Sequence, residues 1–167
     1  ISGIGGETGG VDYRLGASLG IPAVIDAETD FLVSAEITHE DEPDFVLDKI
    51  AVEATLTRLI REDLEVSGGF GLLRAREEND AGVRRYTLLT APLSATLERR
   101  DNPTDAKSGY FANVDLTPFV SLGGTDNGAR VFADTRAYVS FGTDDRFTLA
   151  ARGQFGSVFG AQAETAP

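Results

Sequence analysis

"TLERRDNPTDAKSGYFANVDLTPF", residues 96–119, decides the fold. It alternates apolar and polar residues, breaks at Asp101, Asn102, Pro103, Asp105 and Gly109, then alternates again. A break of this composition is a turn between two strands. It could belong to a soluble β domain, to a metal loop, or to a membrane barrel. The choice depends on which face of the flanking strands meets water.

The same period of two extends outward along the chain. Phe31, Val33, Ala35 and Ile37 oppose Ser34, Glu36 and Thr38. The segment Asp48 to Leu64 is rich in helix formers, yet Ile50, Val52, Ala54 and Leu56 alternate with Ala51, Glu53, Thr55 and Thr57. The pattern recurs at 64–72, 89–98, 112–117, 131–140 and 147–155, giving seven strands. An eighth is expected around Val11 to Leu19, with a remnant at the chain start. Most of these runs exceed the ~5–6 residues usual for a soluble strand. A tilted strand of about 11 residues crosses the ~25 Å apolar band of an outer-membrane barrel. The predicted fold is therefore all-β, an antiparallel up-and-down meander of about 7–9 strands forming part of a transmembrane β-barrel.

The connections alternate in character. "REDLE" and "GTDDR" read as tight turns, while "EENDAGV", "LGGTDNGA" and "HEDEPD" read as longer loops. Pro92 and Pro118 fall inside strand patterns, where proline removes a ladder donor and a bulge is expected. Tyr86, Tyr110, Phe119, Tyr138 and Phe141 near strand ends are the candidates for a thin aromatic girdle.

Composition bounds the function. The net charge of -12 repels phosphate backbones, so no nucleic-acid partner is expected. Absence of cysteine excludes disulfides and thiolate metal sites. With no linker or low-complexity segment, 1–167 reads as one domain. The chain has no methionine and opens on "ISGIGGETGG", which reads as a processed product or an excised piece. No apolar run approaches the ~18 residues of a transmembrane helix, which leaves barrel strands open.

Period two alone does not separate a membrane barrel from a soluble β-sandwich or a lipocalin-like binding module. Two details favour the membrane. The apolar face is modest, with much Val, Leu and Ala, which lipid accommodates better than a sandwich core does. The polar face carries charges of both signs deep within strands. Glu36, Glu53, Asp115, Asp134, Arg136 and Arg152 are the candidate lumen-facing charges, expected to pair across a hydrated interior.

Covalent chemistry lacks its parts. His39, the single histidine, stands beside Glu40, Asp41 and Glu42 and reads as a solvated loop. No Ser-His-Asp order or HExxH occurs, so no catalytic residue is named. "DNPTDAKSG" and "GGTDNG" lack calcium-loop spacing, and "GGFG" and "GIGG" precede no helix; neither metal nor cofactor is expected.

"RYTLLTAPLSATLERRDNPTDAKSGYFANVDLTPFVSLGGTDNGARVFADTRAY", 85–138, closely resembles the barrel domain of TamA-type autotransporter assembly factors. These are relatives of BamA in the surface-antigen superfamily of outer-membrane assembly proteins. "LERRDNPTDAKSGYF" resembles their recurrent motif: Arg-Asp, an Asn-Pro turn, then Gly and an aromatic opening the next strand. "DRFTLAARGQFGSVFG", 145–160, resembles the strand before the family's inward-folded loop. That loop's Val-Arg-Gly-aromatic motif is absent, and the chain ends at "AQAETAP" about where it begins.

The resemblance implies a tight periplasmic turn in which Arg100, Asp101, Pro103 and Gly109 are structural residues. It implies an outer-membrane location and a non-enzymatic role, without a cofactor, in inserting or exporting β-rich clients. A two-partner secretion pore of the same superfamily is the alternative. The implied partners are outer-membrane lipid, unfolded outer-membrane or autotransporter clients, and an inner-membrane-anchored protein. Half a barrel also has open edges, which self-association could satisfy.

Overall fold

The structure, a computed structural model, describes residues 10–160. The predicted remnant strand and "GIGG" at the start, and "AQAETAP" at the end, lie outside the described residues. The chain folds into one antiparallel sheet: β1 (Tyr13–Ile21), β2 (Thr29–Glu42), β3 (Phe45–Arg61), β4 (Leu64–Asn79), β5 (Gly82–Thr90), β6 (Leu93–Glu98), β7 (Gly109–Gly123), β8 (Gly128–Phe141) and β9 (Phe147–Phe159). The order is β1-β2-β3-β4-β5-β7-β8-β9, with β6 pairing with β4 and β7. The helix-tempting segment is β3, a strand of 17 residues. Period two outweighs intrinsic propensity there because β3 has a partner strand on both sides and one apolar face.

β5 and β6 are two halves of one stave. Thr90 faces Gly71 and Phe119, and Leu93 faces Gly68 and Leu116, so the register continues across the gap on both sides. Pro92 lies in that gap. The Ala91 amide donates to the Pro118 carbonyl and the Gly69 amide to the Pro92 carbonyl, each at 2.9 Å. The expected bulges are therefore not at the prolines. Pro92 merely interrupts the stave, and Pro118 stays within β7, opposite Ala129. The register shifts fall elsewhere, at Leu59/Arg61 and at Thr87/Leu88.

The connections sort by rim in the groups read from the sequence, but their lengths do not follow that reading. One rim carries 43–44, 80–81 and 124–127. The other carries 22–28, 62–63, 99–108 and 142–146. "EENDAGV" is thus a two-residue hairpin at Asp80 and Ala81, and the 99–108 turn is long rather than tight. "GTDDR" is not tight either; it holds a 3-10 turn at Thr143–Asp145. Most of "HEDEPD" extends β2, leaving only Pro43 and Asp44 as turn.

Burial shows which way the sheet curls. Ala75, Tyr86, Leu88, Phe119, Thr38 and Asp134 are buried and share one face. No second layer covers that face among the described residues, so its side chains are crowded by curvature alone. The curl is tight at Gly69, where a Cβ would lie 2.2 Å from the Ala54 carbonyl oxygen. The opposite face splays outward and is apolar: Phe70 is 72% exposed and Leu149 63%. A soluble sandwich or lipocalin buries its apolar face. Here the apolar face is the outside, a patch far larger than soluble monomers expose. Burying each such side chain is worth about 1.5–3 kcal/mol, and a lipid environment supplies it.

Candidate functional site

Glu36, Glu53, Asp115, Asp134, Arg136 and Arg152 all lie on the crowded face, as the register of their strands requires. Their partners are neighbours within the sheet, rather than groups across an interior. Glu36 takes Lys49 at 3.1 Å and Arg14 at 3.9 Å. Thr55 donates to Glu53 at 3.1 Å, and Asn113 donates to Asp115 at 2.8 Å. Asp134, Arg136 and Arg152 meet directly. Arg152 Nε donates to Asp134 Oδ1 at 3.0 Å, and Asp134 Oδ2 accepts from Arg136 and Arg152 at 2.7 Å each.

This cluster continues toward the 99–108 turn. The Arg136 guanidinium lies 5.2 Å from the centre of the Phe111 ring, and the Arg100 guanidinium 5.1 Å. Two cations on one ring suit its negative face when anions neutralise them nearby. Asp134 does this for Arg136. Glu98 does it for Arg100, accepting from Nε at 2.8 Å and Nη2 at 2.5 Å. Nothing in the pattern of residues marks Phe111 as the link. Residues 100, 111 and 136 become neighbours only through the β7–β8 register and the fold-back of the turn.

The turn is built around Asp101. Its Oδ1 accepts from the amides of Asn102, Lys107 and Ser108 at 2.9, 3.0 and 3.1 Å. These bonds, led by that from Ser108, hold its carboxyl below the usual range. Asn102 Oδ1 accepts from the Thr104 amide at 2.9 Å, and the Pro103 carbonyl accepts from Arg100 at 3.0 Å. Gly109 closes the turn with φ +96, and a Cβ there would meet the Arg99 carbonyl oxygen at 2.0 Å. Ser140 donates to the Lys107 carbonyl at 2.7 Å, tying the turn to β8. On the outer side Arg99 donates to Asp63 at 2.6 Å and to the Tyr110 hydroxyl at 3.0 Å, joining two connections of the same rim.

Residues 3–167 match the Omp85 superfamily domain. The chain belongs to the Omp85 superfamily. No curated protein matches it significantly. Members of the Omp85 superfamily are outer-membrane proteins of Gram-negative bacteria. They are factors of protein assembly and transport rather than enzymes. The sheet described above is accordingly part of an Omp85 barrel, with its apolar face outward.

Two aromatic assignments change in this frame. Tyr86 and Phe119 are not girdle residues; they sit with Leu88, Ala75, Leu73 and Leu47 in an apolar cluster on the crowded face. Tyr138 shares that face, whereas Tyr110 and Phe141 point outward. His39 is in β2 rather than in a loop. It shares a hydrogen bond with Asp48 at 2.7 Å and stacks on Tyr13 at 5.1 Å. No cluster of metal-ligating side chains occurs among the described residues.

Proposed function

We propose that this chain forms wall strands of a TamA-type assembly barrel, which inserts or exports β-rich client proteins such as autotransporters. The 99–108 turn carries the reading. Its Arg-Asp-Asn-Pro sequence and closing glycine match the motif of that branch, and Asp101, Arg100 and Gly109 each hold part of the turn. The charges on the crowded face are proposed to line a hydrated lumen.

The mechanism is non-enzymatic and needs no cofactor. Barrel strands offer backbone donors and acceptors along any open edge, so an incoming strand can pair by β-augmentation. Among the described residues, β1 and β9 are each paired on one side only. In the whole protein those sides face further wall strands, a client strand or a second copy. An inner-membrane-anchored partner is proposed to feed the periplasmic side.

Depletion of the protein in its host tests this reading. Surface display of autotransporter passengers should fall while periplasmic passenger accumulates. Unchanged display, with loss only of a two-partner secreted substrate, would reassign the chain to the secretion-pore branch.

A further inference from the structure

Arginines on the outward face are matched to acids at one rim and only partly matched at the other. At the rim of the 99–108 turn, Arg58 pairs with Asp26 at 2.7 Å and Arg99 with Asp63 at 2.6 Å. At the opposite rim, β4 and β5 present Arg74, Arg76 and Arg85. Arg76 and Arg85 are direct cross-strand partners, and Arg74 lies diagonal to Arg85, opposite Thr87. Like charges set directly opposite each other are destabilising unless something neutralises them. Arg76 has Glu78 at 2.5 Å and Asp48 at 3.6 Å. The Arg74 and Arg85 side chains are exposed and make no hydrogen bond or ion pair with the described residues.

The position of these two matters as much as their charge. The residues in register with Arg74 are Ile50 and, across β2, Ile37, both exposed and apolar. The residues in register with Arg76 are Asp48 and His39, and His39 stacks on Tyr13. The apolar band therefore ends between these two rows. Asp48, Ile50, Arg74, Arg76 and Arg85 line a shallow depression at that boundary. Asp48 and Glu78 are committed to Arg76, so an acidic chain of net charge -12 leaves Arg74 and Arg85 here without an anion of their own.

We propose that Arg74 and Arg85, flanking Arg76, bind the phosphate of an anionic lipid headgroup at the barrel's outer surface. A guanidinium fork matches phosphate oxygens, and the dry apolar wall beside it strengthens the pairing. The acyl chains lie along Ile50, level with Arg74, and along Leu72 and Leu89 in the next row of the same outward face. The two arginines span about 7–8 Å, the diagonal spacing of an antiparallel pair, which suits one or two phosphates. The inference rests on the apolar face meeting lipid and is independent of the proposed assembly role.

The test is lipid retention by the refolded full protein in neutral detergent, measured by native mass spectrometry with added phosphatidylglycerol or phosphatidylcholine. The wild type should retain phosphatidylglycerol in preference to phosphatidylcholine. The R74A/R85A variant should lose that preference at least tenfold. R58A, at the other rim, should keep it, and R74K/R85K, which keeps the charge but loses the fork, should lose part of it. The lysine pair also reports on the site if the alanine pair fails to fold. Equal retention in R74A/R85A would overturn the proposal. So would complete displacement by millimolar inorganic phosphate, which would make the site one for the free anion.

Discussion

Arg152 on β9 grips Asp134 on β8 with two parallel bonds, Nε to Oδ1 at 3.0 Å and Nη2 to Oδ2 at 2.7 Å. The same carboxylate also holds Arg136, which lies against Phe111. Asp134 thus holds two cations, and its side chain is only 8% exposed. Removing it leaves both arginines without their partner in a crowded face. D134A should lower the heat-modification midpoint of the folded protein on gels more than R152A does. The double variant D134A/R152A should be less damaged than the sum of the two. Additive losses would show that the pair does not act as a unit.

Gly109 is fixed by its neighbours rather than by flexibility. G109A places a Cβ 2.0 Å from the Arg99 carbonyl oxygen at φ +96 and should cost about 2–3 kcal/mol. G82A also has a positive φ, +125, but meets nothing within 4 Å. It should cost only about 1 kcal/mol. Denaturant titration of both variants checks the ranking; equal losses would mean that the 99–108 turn relaxes freely.

The Asp101 carboxylate is held below its ordinary value of 3.8 by the Ser108, Lys107 and Asn102 amides. A depressed folded-state pKa stabilises the turn above the unfolded value, and that stabilisation is lost as pH falls through the folded value. Amides of Lys107 and Ser108 should therefore stay protected at pH 5 and lose protection below about pH 4. D101N should show weak protection at every pH. Hydrogen exchange at these two amides measures it, and a pH-independent wild type would contradict the role given to Asp101.

Adjacent residues of β3 separate the two faces. Ala54 points outward between Val33 and Phe70, and Thr55 points to the crowded face beside Glu53. A54R puts a cation in the middle of the apolar band and should cost about 2–4 kcal/mol in a bilayer. T55R should be tolerated, with Glu53 on the same face to meet it. Folding yield into lipid vesicles compares them, and equal yields would argue against an outward lipid face.

Much of this was legible in sequence because period two survives translation into a sheet without loss. Ile50, Val52, Ala54 and Leu56 share one face and Glu53 and Thr55 the other, as alternation requires. Loop lengths were less legible. "EENDAGV" looks like a loop by composition, yet Glu77 and Glu78 are paired with Arg84 and Val83, so the polar residues belong to strands. Polar composition marks a turn in a soluble sheet, but at a barrel rim it also marks strand ends that rise above the apolar band. The Arg100–Phe111–Arg136 contact was invisible because it depends on register and on how the turn folds back. Pro92 misled for a related reason: the amide it lacks lies where the stave is already interrupted, so no bulge is required.

The most direct test exploits the absence of cysteine, which makes single-cysteine labelling clean. A spin label is placed in turn at Ile50, Val52, Ala54 and Leu56, then at Ala51, Glu53, Thr55 and Thr57, with the protein in lipid bilayers. Collision rates are measured with oxygen, which concentrates in lipid, and with a water-soluble nickel complex. Alternation of period two is expected, with the first set oxygen-accessible and the second nickel-accessible. Nickel access at both sets, or the opposite phase, would contradict an outer-membrane barrel wall with its apolar face outward.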